Sequence, residues 1–382
     1  MPNAVHYLDT VEPDRARAVL LAWKTRFPAM GVLALLPESE APAVATLQSL
    51  AAEADIPIFG GIFPALIAEQ GFRNSGCLLL RFDEAPFAVF SDPITDDGRH
   101  AAVAERIGAQ IAAQVAAADD ECTLFMLFDA MVPVIGSMLD ALYLELADRV
   151  HYAGASAGSE SFQPMPCLFD RTRLLGNRAL FLLLRNHHGA ILEHGYCLPE
   201  RTYLATTTEG NRITHIDWRP AFDVYCELAQ AHYGVAITRD NFYRHAVHLP
   251  FGIVRANHNI LVRIPTTLHE DGSIGCVGEV PPHSMLTLLG GPTVDTHDTV
   301  DALVERVSRL NGDVAGRNKL LFYCAGRRLH LGLPDAESEL CELHRRSRCR
   351  EIAGALSLGE IGASTLWGYP LFHNAALVAA LW

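Results

Sequence analysis

The 382-residue sequence predicts an α/β protein of two layered domains, with repeated helix-strand-helix-turn-strand units and a β-rich insertion in the C-terminal half. Three observations support this fold class. The same order of elements occurs three times, the candidate strands are continuous apolar runs, and the segment before the last repeat has a different composition. Because half-buried strands alternate in polarity, continuous apolar runs indicate sheets covered on both faces.

Each repeat unit begins with a helix-period segment and continues with an apolar strand, a second helix, a glycine turn and another apolar strand. The first unit is 13–91, the second is 99–188 and the third is 298–382. The separation between first strand and glycine turn is nearly constant, which favours a structural repeat over chance similarity. The first strands begin near Gly31, Cys122 and Lys319, and the glycine turns begin near Gly60, Gly154 and Gly354.

The insertion, 189–297, consists of short β-branched runs separated by glycine, proline and asparagine. Its EGN and HEDG segments are typical of hairpin turns, and one helical pattern lies near 220–233. We therefore predict two domains. The N-terminal domain, 1–188, holds the first two units, and the C-terminal domain, 189–382, holds the insertion and the third unit.

The composition excludes several classes of protein. A formal net charge of −14, from 44 acidic and 30 basic residues, argues against a nucleic-acid-binding protein, which needs a basic surface. Nine scattered cysteines without a CxxC pair indicate reduced thiols rather than a disulfide framework. The N-terminal sequence lacks the pattern of a signal peptide, and no apolar run reaches the roughly 18 residues of a membrane helix. We therefore expect a cytoplasmic protein.

Four sequence segments carry a resemblance to a known family. They are HYAGASAGSESF, HGYCLPERTYLATTTEGNRITHIDWRPAFDVY, LFYCAGRRLHLG and GALSLGEIGASTLWGYPLFHNAALVAAL. In this order they resemble the FIST proteins, which pair a FIST N domain with a FIST C domain. The last segment, with its GEIG turn, HN pair and apolar strand, is the most specific, and together the segments extend the resemblance over nearly the whole chain.

The resemblance implies a sensory protein that binds a small ligand. Amino acids are the ligands usually proposed for the family, and haem is the ligand in a nitric-oxide-sensing branch, so the cofactor stays unknown at this point. Many family members join the sensor to an output domain. Because the repeat units and the insertion account for this sequence, we expect output through a separate partner, such as a histidine kinase, a cyclase or another signalling protein.

The glycine segments are candidate ligand-binding positions independently of the family. A run of small residues after an apolar strand lets backbone N–H groups point into a concavity and bind a carboxylate or phosphate. Open α/β sheets usually bind ligands at such strand ends. The alternative is that the small residues only permit tight turns and close packing. The candidates are Gly60, Gly61, Gly154, Ser156 and Gly158.

Residues of the third unit suit an amino-acid ligand. Glu360 is a candidate for binding the ammonium group, and Arg327 or the adjacent Arg328 for binding the carboxylate. His373 and Asn374 open the last strand, where both side chains can reach the edge of a pocket. The alternatives are that Glu360 caps a turn, that the arginines form structural ion pairs, and that His373 is a hydrogen-bonded core residue.

Haem needs only one axial ligand and an apolar pocket, and the candidate ligands are His373 and His283. A metal-ion site is not predicted. The closely spaced histidines in RHAVHLP and NHHG have no carboxylate or cysteine beside them at the spacing of a zinc site.

The sequence contains no P-loop and no GxGxxG turn, and although GASAG around Ser156 has the GxSxG spacing of a nucleophile elbow, no partner base can be located, so we expect no enzymatic activity. The alternative from another class is a hydrolase or transferase that uses the glycine turns as an anion cradle. Its nucleophile is then Ser156, or Cys324 with a thiol activated by the two arginines that follow it.

Overall fold

The computed structural model confirms the predicted α/β fold class, with three similar units and a β-rich insertion. Among the described residues, no helix is long and apolar enough to cross a membrane. The described residues are 4–117, 120–197, 201–255, 259–292, 294, 297–312, 314–363 and 368–382.

The first two units have the predicted order of helices and strands. Proline begins the first helix, at a position where its missing N–H would have no intrahelical partner. Short 3₁₀ helices cover Glu38–Ala43 and Ala147–Arg149. The elements are β1 (Val5–Leu8), α1 (Pro13–Arg26), β2 (Gly31–Pro37), α2 (Val44–Glu53), β3 (Ile58–Phe63), β4 (Ala65–Ala68), β5 (Gly71–Arg73), β6 (Cys77–Phe82), β7 (Phe87–Phe90), α3 (His100–Ala116), β8 (Cys122–Asp129), α4 (Ile135–Leu146), β9 (His151–Ala157), β10 (Leu168–Asp170), β11 (Leu174–Leu175) and β12 (Ala179–Arg185).

The insertion is strand-rich, as predicted, and its main helix ends at Gly234, whose left-handed φ of 67° closes the last turn. The third unit follows it. The elements are β13 (Ala190–Glu193), β14 (Tyr203–Glu209), β15 (Arg212–Ile216), β16 (Arg219–Pro220), α5 (Ala221–Tyr233), α6 (Phe242–Ala246), β17 (Phe251–Val254), β18 (Ile260–Arg263), β19 (Pro265–Leu268), β20 (Ile274–Cys276), β21 (Met285–Leu288), α7 (Asp298–Asn311), β22 (Asn318–Cys324), α8 (Ala325–Leu331), α9 (Leu333–Ser347), β23 (Glu351–Ser357), β24 (Glu360–Gly362), β25 (Leu371–His373) and β26 (Leu377–Leu381).

Each unit forms the centre of its own mixed sheet. Its first long strand pairs in parallel with the next long strand, and antiparallel with a later strand of the same unit, which is β6, β12 or β26. The three sheets have the orders β1-β6-β2-β3-β10-β11, β7-β12-β8-β9-β24-β25 and β13-β26-β22-β23-β4-β5. The central strands β2, β8 and β22 are buried along their whole length, which explains their continuous apolar sequences.

A hairpin from another unit completes each of these sheets. The hairpin β4–β5 of the first unit pairs with β23 of the third, β10–β11 of the second pairs with β3 of the first, and β24–β25 of the third pairs with β9 of the second. The exchange is therefore cyclic. Two of the three hairpins cross the predicted domain boundary between residues 188 and 189, so this boundary stays a prediction.

The three sheets also share one hydrophobic core. Phe322 of β22 lies at its centre, with its ring centroid 5.7 Å from that of Phe63 and 6.0 Å from that of Phe125. These three rings come from three different units. The insertion has a separate core between α5, α6 and a fourth sheet of order β18-β17-β21-β14-β15-β20-β19, in which β16 pairs with β15.

The predicted glycine turns are wrong in one respect, because the glycines lie inside strands. Gly60, Gly154 and Gly354 occupy equivalent positions in β3, β9 and β23. A Cβ atom there would lie 2.1, 2.2 and 1.8 Å from a carbonyl oxygen of the neighbouring parallel strand. Glycine is therefore required for the close approach of two strands, not for a turn.

We expect Gly354→Ala to lower the free energy of unfolding by about 1–3 kcal/mol, because the added methyl group overlaps the backbone of β22. Urea unfolding followed by circular dichroism measures this change. The control is Gly71→Ala in the same sheet, where the nearest atoms are the mobile ends of Arg73 and Glu337. Equal stability of the two variants would contradict the strand-contact explanation.

Candidate functional site

A cavity of about 480 Å³ lies where the insertion meets the third unit. Its walls come from the end of β13 and the residues after it, from β18, from α7 and from the β24–β25 hairpin. The hairpin is held in place by Arg263, whose buried guanidinium donates to the Phe372 and Glu279 carbonyls at 2.8 Å each. The volume is in the range typical of small-molecule sites.

Two stacked histidines form part of the wall. The rings of His194 and His373 have centroids 5.6 Å apart at an interplanar angle of 29°. Burial lowers the pKa of His194 to about 4, and the pKa of His373 well below its usual value. Both imidazoles are therefore neutral at pH 7. The Tyr196 N–H donates to His194 Nδ1 at 3.0 Å, whereas His373 Nδ1 has no hydrogen-bond partner among the described residues.

The wall also carries charged side chains of both signs. Glu193 pairs with Arg306 of α7, and burial raises the pKa of the Glu193 carboxyl to about 7 against the opposing effect of that arginine. Asp298 begins α7, and Arg255 follows β17. No carboxylate among the described residues lies within ion-pair distance of Arg255. This guanidinium thus has its charge available to a ligand.

His373 is the one candidate from the sequence that lines this cavity. Asn374 lies behind it, where its side-chain oxygen accepts the Ile264 N–H at 3.2 Å and its amide donates to the His373 carbonyl. Asn374 therefore connects β18 to the hairpin. His283 lies on an exposed turn before β21 and does not line the cavity.

Arg327 does not face a ligand. Its Nε and Nη2 donate to the two carboxylate oxygens of Glu339 at 2.8 and 2.5 Å, and its Nη1 donates to the His194 carbonyl at 2.8 Å. The ion pair is fully buried, and Tyr323 donates to the same carboxylate. Arg328 makes a separate contact with Glu160. The structural alternative for the arginines is therefore correct, and Arg327 supports the cavity wall from behind.

Glu360 is likewise unavailable to a ligand ammonium. It is completely buried in β24, where its carboxyl accepts hydrogen bonds from the Ser357 hydroxyl at 2.6 Å and the Ala376 N–H at 3.4 Å. Burial raises the pKa of Glu360 to about 8, so the group is protonated at neutral pH. Burial also raises the pKa of the neighbouring Cys324 thiol. Burial therefore favours the neutral thiol of Cys324 over an activated thiolate.

The glycine candidates do not form an anion cradle. The Ser156 N–H donates to the Gly359 carbonyl, and the Gly158 N–H donates to the Ile62 carbonyl, both at 2.8 Å. Gly60 and Gly61 pair with β2 and β10. The backbone groups of these residues are therefore used in contacts between strands. The Ser156 hydroxyl is buried without a hydrogen-bond partner among the described residues, so no base is positioned to activate it.

A second cavity of about 530 Å³ lies between the end of α1 and β3. It is larger but more open to solvent. Its charged groups already contact one another or the backbone, because Arg171 pairs with Asp55 and Lys24 Nζ donates to the Asp55 carbonyl, both at 2.8 Å. None of the candidate residues from the sequence lines it, so the cavity at His373 is the stronger candidate.

The sequence interpretation missed most of the cavity wall. Glu193 and His194 lie directly before the GYC segment of a recognised motif, but their types alone do not indicate a pocket. Arg255 is more than 40 residues from Asp298 and Arg306 of α7 in the sequence, and only the fold brings it to them. The acidic Asp298 at the start of α7 was the single feature of the local sequence that could have indicated this wall.

We expect Glu360→Gln to alter how stability depends on pH. The folded-state pKa of about 8 lies above the usual 4.5, so this group's contribution is complete below about pH 4.5 and is lost as the pH rises through about 8. Between about pH 5 and about pH 8.5, the unfolding free energy of the wild type should therefore fall by at least about 1 kcal/mol more than that of the variant. Urea titrations at both pH values measure it. Glu84→Gln, at an exposed site, is the control, and parallel pH profiles for all three proteins would contradict burial of an ionisable Glu360.

Comparison with known families agrees with the motifs and the fold. A family model of the FIST N domain matches residues 30–219, and a model of the FIST C domain matches residues 221–363. No match was found among curated proteins. FIST domains are sensory domains associated with signalling rather than with catalysis. With both domains present in the family's order, the chain belongs to the FIST family.

Proposed function

We propose that this chain is a sensory protein that binds an amino acid in the cavity between β13, β18, β25 and α7, and that a separate signalling protein reads the bound state. The composition of the cavity wall is the observation that supports this proposal. It combines charges of both signs with two neutral imidazoles in a volume suited to a small molecule.

The charges suit a zwitterion rather than a simple anion or cation. Arg255 provides a guanidinium for the α-carboxylate, and Asp298 provides a carboxylate for the α-ammonium group. Glu193 is already in contact with Arg306, which leaves Asp298 as the carboxylate for the ligand. The stacked imidazoles offer flat, uncharged surfaces for the ligand side chain.

Ligand binding can favour one arrangement of the walls because they belong to different elements. The β24–β25 hairpin lines the cavity and also completes the sheet of the second unit. A ligand that contacts both the hairpin and α7 stabilises their closed arrangement by its differential affinity for that state. A histidine kinase or a cyclase that binds only this arrangement would then receive the signal.

We expect at least one amino acid to raise the thermal unfolding midpoint of the wild type. At 100 times its dissociation constant a ligand stabilises the folded state by about 2.7 kcal/mol. The corresponding amine and carboxylic acid should each bind more weakly than the amino acid, because each lacks one of the two charges. Differential scanning fluorimetry across all amino acids, followed by calorimetry, makes the measurement.

The variant Arg255→Gln should weaken that ligand's affinity by about tenfold or more, the cost of one charged hydrogen bond. Arg309→Gln is the matched control, because Arg309 lies on the exposed side of α7 and pairs with Glu305. Unchanged affinity in Arg255→Gln would remove this cavity from the proposal. Absence of any shift with any amino acid would remove the ligand class.

A haem-binding nitric-oxide sensor is the second candidate. The unpartnered Nδ1 of the neutral His373 in the cavity wall favours it, since an axial ligand must be a free, unprotonated imidazole nitrogen. His373 would hold the haem iron, and the haem would supply the nitric-oxide-binding site. The charged side chains around the cavity are less suited to the broad apolar faces of a porphyrin, so the amino acid ranks first.

On haem reconstitution, this second candidate predicts a Soret band that shifts when nitric oxide is added. His373→Ala should abolish the band, and His283→Ala, at an exposed turn outside the cavity, should leave it unchanged. A band that persists in His373→Ala would exclude His373 as the axial ligand. Absorption spectroscopy of the three proteins decides the matter.

A further inference from the structure

Three side chains with metal-ligating atoms meet at one edge of the second sheet. Glu121 lies immediately before β8, His151 is the first residue of β9, and His188 follows the end of β12. Because β8 pairs in parallel with β9 and antiparallel with β12, the starts of β8 and β9 and the end of β12 share this edge. Residues distant in sequence are thus adjacent in space.

The distances are those of a nearly formed metal site. His151 Nε2 lies 3.5 Å from Glu121 Oε2, and His188 Nδ1 lies 2.5 Å from the same oxygen. All three ligand atoms lie within 4.8 Å of one another. Ligands about 2.0–2.1 Å from a tetrahedral zinc ion are themselves about 3.3 Å apart. The His151–Glu121 distance already fits this spacing. A small rotation of the half-exposed His188 side chain would lengthen the His188–Glu121 distance to the same value.

The surrounding backbone fixes the position of the histidines. Thr123, which is paired with His151 in the strand register, accepts the Gly189 N–H at 2.8 Å. Gly189 has a left-handed φ of 84°, and a Cβ atom there would lie 2.9 Å from the Cβ of His151. His187 makes a further hydrogen bond with the Thr123 hydroxyl. The loop carrying His188 is therefore held against β9 before any ion binds.

The exposure of the three groups suits an ion that enters from solvent. The His151 side chain is 5% exposed, whereas those of Glu121 and His188 are 50% and 44% exposed. One buried ligand and two accessible ligands leave an open side for water or another molecule. Two imidazoles and one carboxylate form the donor set of many zinc and non-haem iron(II) sites.

We propose that Glu121, His151 and His188 bind a divalent transition-metal ion, Zn²⁺ or Fe²⁺, with an open coordination position. Mg²⁺ and Ca²⁺ prefer all-oxygen ligands and do not suit this donor set. The site lies apart from the cavity at His373, with which it shares no lining residue. The sequence interpretation excluded a metal at His188 because its carboxylate, Glu121, is 67 residues away in the chain.

The test uses the full chain without an affinity tag, stripped with a chelator and then titrated with Zn²⁺, with Fe²⁺ under anaerobic conditions, and with Mg²⁺. Competition against a chromophoric chelator gives the affinity and stoichiometry. We expect one Zn²⁺ per chain, weaker binding of Fe²⁺ in the order usual for such ligands, and no competition by Mg²⁺.

The variants Glu121→Gln and His188→Ala should each weaken Zn²⁺ binding by about tenfold or more, since even loss of an outer-shell partner costs 10–100-fold. Both side chains are half exposed, so the variants should fold, and circular dichroism checks this. His248→Ala is the control. It disrupts a different histidine pair, in which His248 Nδ1 lies 2.9 Å from His330 Nδ1.

Equal Zn²⁺ affinity in the wild type and in His188→Ala would overturn the proposal. So would loss of binding in His248→Ala, because the ion would then occupy the other pair. Binding of Mg²⁺ as tightly as Zn²⁺, or no stoichiometric binding of either transition metal to the wild type, would also refute it.

Discussion

The fold depends on hydrogen-bonding partners for the outer edges of three strands, one in each sheet. β3, β9 and β23 each pair with a central strand on one side and would leave backbone N–H and C=O groups unpaired on the other. Buried backbone groups need partners, and an open edge invites aggregation. A hairpin from another unit pairs with each edge, so no unit has a complete sheet alone. The three units are therefore expected to fold as one cooperative structure.

This exchange also explains where the cavity lies. The β24–β25 hairpin crosses to the second unit's sheet, and its inner end carries His373 into the cavity wall. Arg263 holds the hairpin through backbone carbonyls, and Arg327 holds the opposite wall through the carbonyl of His194. Both guanidiniums are buried. The residues that connect the insertion to the third unit thus also shape the candidate binding site.

Burial decides the roles of the charged residues found in the sequence. An isolated buried charge is costly, so Arg327 pairs with Glu339, and Glu360 takes up a proton. Such residues look like ligand contacts in a motif, but their charge is already compensated inside the protein. The partly buried Arg255 and the exposed Asp298 have no such compensation among the described residues, and neither belongs to a motif that marks it.

The amino-acid sequence alone predicts the α/β class, the three repeated units and the strand-rich insertion, because apolar periodicity and glycine spacing are local properties of the chain. It also indicated His373 as a candidate near a pocket. Three further features are visible only in the folded chain: the glycines lie in strands, hairpins are exchanged, and Glu121 meets His151 and His188. These features depend on contacts between residues far apart in the chain, and no local pattern specifies which strand edges will pair.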